Sequence, residues 1–154
     1  MAVWNYDPAE VIVTIGGVQL FGFADGTFLT IARDEQAFQK VTGADGRTSR
    51  AKSNNRGALV TITLKQTSPS NDVLSGFAVA DEATNTGVVP MTVTDLSGRT
   101  LAFAESAWVQ QIPNADFAKE ISNRAWAIDC AAMSIFLGGN ELGENGNGNN
   151  NGNG

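Results

Sequence analysis

Residues 58–66 read ALVTITLKQ, and their alternation is strict. Val60, Ile62 and Leu64 fall on one side of an extended chain, and Thr61, Thr63 and Lys65 fall on the other. A period of two with β-branched residues marks a strand that buries one face and wets the other. The same pattern recurs in VVPMTVTD (88–95), with Val89, Met91 and Val93 in phase, and in RAWAIDC (124–130), with Trp126, Ile128 and Cys130 in phase. Further strands are expected at 10–15, 18–23, 27–32, 47–53, 100–104 and 106–112. Gly16-Gly17, Asp25-Gly26, Asp45-Gly46 and Ser97-Gly98 supply the turns between them. Many short strands with turns at such intervals predict a mainly β, antiparallel sandwich or barrel.

One segment departs from period two. SPSNDVLSGFAVADEAT (68–84) places Leu74, Phe77, Ala78 and Asp81 at helical spacing, thickened by Val73 and Ala80. Ser68 is a candidate N-cap, Pro69 suits the first helical position, and Asp72 complements the positive end of the dipole. A single flanking helix over about 69–84 is therefore expected. The organisation read from these patterns is an N-terminal arm at 1–9, a β domain at 10–139, and a Gly/Asn-rich tail at 140–154. After Leu142 that tail holds no apolar residue, so a flexible segment is expected there.

Composition narrows the chemistry. The 154 residues contain no histidine and one cysteine, Cys130. That excludes a Ser-His or Cys-His triad, an internal disulfide and a His/Cys zinc site. The lone cysteine fits a reducing cytoplasm, the N-terminus lacks the form of a signal peptide, and no apolar run nears the roughly 20 residues that span a bilayer. Asp25, Asp45, Asp95, Asp116 and Asp129 remain as conceivable acid–base groups, but the first three sit at turn glycines, where aspartate bonds nearby backbone. GADG and GFADG do not have phosphate-loop spacing. GGNELGENG (138–146) places Glu141 where a calcium nonapeptide needs glycine. No enzyme, cofactor or metal site is expected.

The distribution of charge is more informative. The net charge is −6, yet Arg47, Arg50, Lys52, Arg56 and Lys65 stand without an acid between Gly46 and Asn71, so this stretch carries +5 and the rest −11. Three readings compete for GADGRTSRAKSNNRG (43–57): phosphate contact, a merely solvated hairpin, or docking on acids of another copy of the chain. The stretch has no interleaved aromatics for base stacking, and the surrounding acid repels polyanions. Arg47, Arg50, Lys52 and Arg56 are thus candidate inter-subunit contacts. Trp4, in the arm, is a fifth. An alternative for Trp4, Trp108 and Trp126 is a sugar-binding platform on a monomeric sandwich; Trp126 instead fits the core by its phase.

Three blocks, GFADGTFLTIARD (22–34), VTGADGRTSRAKSNNRGALVTITLKQTSPSND (41–72) and NRAWAIDC (123–130), resemble the tail tube proteins of contractile-tailed bacteriophages, in particular the phiTE-like branch. The resemblance spans about residues 10–137. It implies a β-sandwich or barrel subunit with one helix, and hexameric rings stacked into a hollow tube inside a contractile sheath. It also implies tail sheath, tape measure and baseplate or terminator proteins as partners, DNA passing through the bore without specific binding, and a place in the virion tail after assembly in the bacterial host cytoplasm. A pyocin-like, DNA-free injection particle shares that architecture and stands as the alternative. The acid surplus further leads us to expect an acidic bore.

Overall fold

A computed structural model describes residues 3–140. Among these residues ten strands form: β1 (Val11–Ile15), β2 (Val18–Leu20), β3 (Leu29–Arg33), β4 (Phe38–Thr42), β5 (Thr48–Lys52), β6 (Ala58–Lys65), β7 (Val89–Asp95), β8 (Leu101–Gln111), β9 (Asn123–Cys130) and β10 (Met133–Phe136). One helix, α1 (Ser70–Thr84), lies between β6 and β7. All pairings are antiparallel, in the order β2-β1-β7-β8-β9-β6-β3, with β10 also on β8 and β4-β5 as a separate ribbon. The expected class, a mainly antiparallel β fold with one helix, is what forms.

The sheet curls until its far edges are joined by one stretch of chain. Gly16 and Gly17 both have positive φ, 59° and 82°, and make the two-residue turn from β1 to β2. Beyond β2, Gly22 (φ 78°) redirects the backbone. Phe23 then bridges Leu64, Ala24 N donates to Thr63 O at 3.0 Å, and Lys65 N donates to Gly22 O at 2.9 Å. Residues 18–23, expected as one strand, thus serve two: β2 on β1, and a short extension on β6. A Cβ at Gly22 would lie 2.5 Å from Ser68 Oγ. Gly22→Ala combines that clash with a left-handed backbone and should cost about 2–3 kcal/mol, read as a lower urea midpoint with unchanged slope.

The enclosed face holds the core. Val13, Ile15, Val60, Ile62, Leu64, Met91, Val93, Trp126, Ile128 and Met133 are all buried, and Leu74 and Ala78 of α1 cover them. The alternation in 58–65 is reproduced residue by residue in burial. Strands expected at 100–104 and 106–112 are one 11-residue strand. Their separation in sequence reflects a real phase change: Ala102 and Ala104 point inward, and the next inward residues are Ala107 and Val109. The partner strand slips in step. Cys130 pairs with Ala107 and Met133 with Ala104, so Ala131 and Ala132 stand opposite Glu105 and Ser106 without loss of register.

The start of α1 is fixed by three side chains of SPSND. The helix begins at Ser70, one residue later than expected, with Pro69 as the N-cap. Ser68 still serves the helix start: its Oγ accepts from Ser70 N at 3.2 Å and donates to Phe21 O at 2.6 Å. Ser70 Oγ accepts from Phe21 N at 2.9 Å. Asn71 Nδ2 donates to the carbonyls of Lys65 and Ser68, both at 3.0 Å, and its Oδ1 accepts from the Trp126 indole at 2.9 Å. One buried amide thus ties β6, α1 and β9 together.

Cys130 is buried, and its thiol is pushed up from 9.0 to about 11, by burial first and then by the charges of Asp129 and Asp34. The unfolded chain releases this proton near pH 9 while the folded chain retains it to about 11, so the folded state binds more protons across that window. Stability present below pH 9 is lost as pH rises through 11. Urea melts of wild type and Cys130→Ala between pH 8 and pH 11 should show their difference drifting in the variant's favour.

Candidate functional site

The basic stretch folds as a hairpin projecting from the curled sheet. β4 and β5 pair with each other alone among the described strands, and every residue of both is exposed. The turn closes through Gly43 N to Arg47 O at 2.8 Å and Gly46 N to Gly43 O at 3.0 Å. Asp45 Oδ1 accepts from Arg47 N at 3.0 Å, and its carboxylate lies 3.6 Å from the Arg47 guanidinium. The base is clamped: Glu35 accepts from Ser53 Oγ and from Asn55 Nδ2, which together hold its carboxyl below its ordinary 4.5. Ser53 N donates to Ala37 O at 2.8 Å and Asp34 N to Gly57 O at 3.1 Å. The ribbon therefore leaves the sheet at a defined root.

Register sorts its side chains into two faces. Phe38 pairs with Lys52, Lys40 with Arg50, and Thr42 with Thr48, and directly paired residues point the same way. One face thus carries Lys40, Arg50 and Lys52, with Arg50 stacked over the Phe38 ring at 4.1 Å. The other face carries Gln39, Val41, Ser49 and Ala51, with no charge. A merely solvated ribbon gains nothing from this sorting. A docking ribbon gains one cationic face with an aromatic at its base.

The candidates drawn from the sequence separate accordingly. Arg50 and Lys52 share the cationic face. Arg47 sits at the tip beside Asp45. Arg56 stands at the root: its carbonyl accepts from Arg33 Nη1 at 2.6 Å and from Met133 N at 2.9 Å, and the residue borders a groove with Glu105 and Ser106. Trp4 is 72% exposed in the arm, whose Tyr6 lines a separate groove of about 460 Å³ with Phe28, Ile31 and Leu137. Trp126 is buried, which removes it from any surface platform. Lys40 was missed because it precedes the GADG turn. Its signal was available in the matching spacing of F-x-K before the turn and R-x-K after it.

Among the described residues, no cluster of three or more His, Cys, Asp or Glu side chains is placed to hold a metal, and no helix is long and apolar enough to cross a membrane. What the described surface presents is a rooted cationic ribbon on a closed β body.

Residues 9–138 match the family described as Bacteriophage PhiTE tail tube protein. This chain belongs to that tail tube family. A structural protein, ORF10, of Pseudomonas phage KPP10 is 33% identical over 145 residues, covering 89% of this chain and 84% of that protein. Among solved structures, the fold of this tail tube family member is shared by the tube-terminating cap of the anti-feeding prophage (TM-score 0.61, 13% identity, 88% of this chain and 93% of that one). It is also shared by chains from the sheath/tube terminator (TM-score 0.60, 12% identity, 88% and 99%) and the sheath-tube complex (TM-score 0.58, 10% identity, 86% and 91%) of the PVC extracellular contractile injection system, both in the extended state. At these identities the likeness establishes the fold. Family membership makes the chain a structural tail protein of a phage and so a virion component.

Proposed function

We propose that the chain is the tail tube subunit itself, a non-enzymatic protein whose copies close into hexameric rings and stack into a hollow conduit for DNA inside a contractile sheath. The observation that carries this reading is the cationic face of the β4–β5 ribbon on a body that is otherwise acidic. Membership of a tail tube family and a fold shared with tube and terminator chains support it. Self-docking then uses Lys40, Arg50 and Lys52, with Arg47 at the tip, Arg56 at the root and Trp4 in the arm as secondary contacts. A bore lined by surplus acid repels DNA phosphates and keeps passage free of sticking. The sheath protein is the expected outer partner, tape measure and baseplate or terminator proteins the expected end partners, and the host cytoplasm the place of assembly.

Negative-stain electron microscopy of the purified full chain, concentrated at low salt, should show rings or hollow tubes. A discrete monomer at every concentration overturns the proposal. A monomer whose tryptophan fluorescence responds to oligosaccharide favours the sandwich-type binding module instead.

A further inference from the structure

The hairpin and the groove that best complements it are separate surfaces of one subunit, the groove opening on β8 just beyond the row at which the hairpin is rooted. The ribbon is rooted where β6 begins, at Ala58, which pairs with Cys130 and through it with Ala107. β6 ends at Lys65 opposite Asn123, where the chain enters β9 from the loop of residues 112–122 that leaves β8. Beside the exit of β8, the last turns of α1 and residues 108–112 enclose a groove of about 350 Å³. Its apolar wall is Ala78, Trp108, Val109 and Ile112, and its rim carries Asp81 and Glu82. Both carboxylates stand at the negative end of the α1 dipole, and the last turn of α1 holds no basic residue. That arrangement is self-repulsive in a lone chain and is relieved by an incoming cation. Past Ile112 the loop adds exposed Phe117, with Asp116 beside it.

Resting on the self-assembly proposed above, the geometry points to this groove as the seat for the cationic face of a second copy's β4–β5 ribbon. Lys40, Arg50 and Lys52 meet Asp81 and Glu82, while Phe38 at the ribbon base meets Trp108, which brings the tip at Thr48 alongside Gln111. Three other grooves among the described residues fit worse, one of them lying on the ribbon itself between Phe38, Lys40 and Arg50. The one at Arg56 and Glu105 lies at the ribbon's own root, and the one at Tyr6 and Leu137 has Asp95 as its one carboxylate. Because the ribbon and its seat are different surfaces, the contact is heterologous, head to tail, and links copies into a ring or a filament rather than closing into a pair.

Two sets of full-length variants test this against wild type. Glu82 is exposed, so Glu82→Arg should keep the native circular dichroism spectrum while raising the concentration needed for assembly about fivefold. Combining it with Arg50→Glu should restore part of that loss. Independently, Thr48→Cys with Gln111→Cys, both at exposed positions and with Cys130 buried, should give an open ladder of disulfide-linked multimers on mild oxidation. If the Arg50→Glu/Lys52→Glu chain assembles like wild type, the docking role of the ribbon fails and this inference with it. If that chain is blocked while Glu82→Arg assembles normally and the cysteine pair gives no ladder, the ribbon docks elsewhere, on another face or on a sheath-type partner. The groove assignment is then overturned and the ribbon's role stands. A disulfide-linked dimer that goes no further also overturns it.

Discussion

Replacing Arg50 and Lys52 together by glutamate leaves the chain folded and stops it polymerising. Both residues lie on the exposed ribbon, away from the core, so substitution there should change stability by about 1 kcal/mol at most, mainly through loss of the Arg50–Phe38 stack. Assembly responds differently. Each exposed ion pair is worth about 0.2–1 kcal/mol, and a reversed charge replaces attraction with repulsion of similar size. Two reversals therefore weaken each contact by about 2 kcal/mol, more than a tenfold change in affinity. A ring of such contacts multiplies the loss. Wild-type assembly should weaken as salt rises, because the ribbon is exposed and the Debye length at 0.15 M is about 8 Å. Sedimentation velocity across a concentration series, beside circular dichroism, reads both effects. A double variant that polymerises like wild type at low and high salt removes the ribbon from the account.

Replacing Asn71 by leucine should have the largest effect on stability. The variant strips the Trp126 indole N–H of its acceptor and removes a second donor from the Lys65 and Ser68 carbonyls, which keep the backbone N–H groups of Ser68 and residue 71. Leaving the buried indole unpaired costs about 1–3 kcal/mol, and each lost carbonyl bond about 0.5–1.5 kcal/mol. A total near 4 kcal/mol is a large share of the 5–15 kcal/mol typical of a domain. Trp126→Phe removes the stranded donor along with the indole, so Asn71→Leu/Trp126→Phe should fall well short of the sum of the singles. Urea unfolding of the four chains gives the coupling directly. Additive losses would show that the amide–indole bond contributes little.

Much of this fold is written locally, and what is not written locally is what joins distant segments. Strands such as 58–65 announce themselves because each buries one face. β4 has no such signal: FQKVT is exposed on both faces, so no burial pattern forms, and it was not expected as a strand. β10 is only four residues and keeps its place by continuing the register of β9 along β8 rather than by any motif of its own. The break expected inside β8 misread a paired phase shift as an interruption. The bond from Asn71 to Trp126 spans 55 residues and could not be seen in either neighbourhood. The concentration of positive charge was legible, but its sorting onto one face, and the inclusion of Lys40, needed the register of β4 on β5. Arg56 drops to the root for the same reason: the sequence counts charges, and pairing decides where they point. The tail expected at 140–154 lies outside the described residues from 141 onward. Asn140 itself is tied in, its Nδ2 donating to Ser97 O at 3.2 Å.

The most direct test of the central claim is a cryo-electron microscopy reconstruction of the particle tail that contains this chain. The chain should stand in repeated copies along the inner conduit, with the face of Lys40, Arg50 and Lys52 covered by an adjacent copy. A reconstruction that leaves this ribbon in solvent, or that finds the chain nowhere along the conduit, would contradict it.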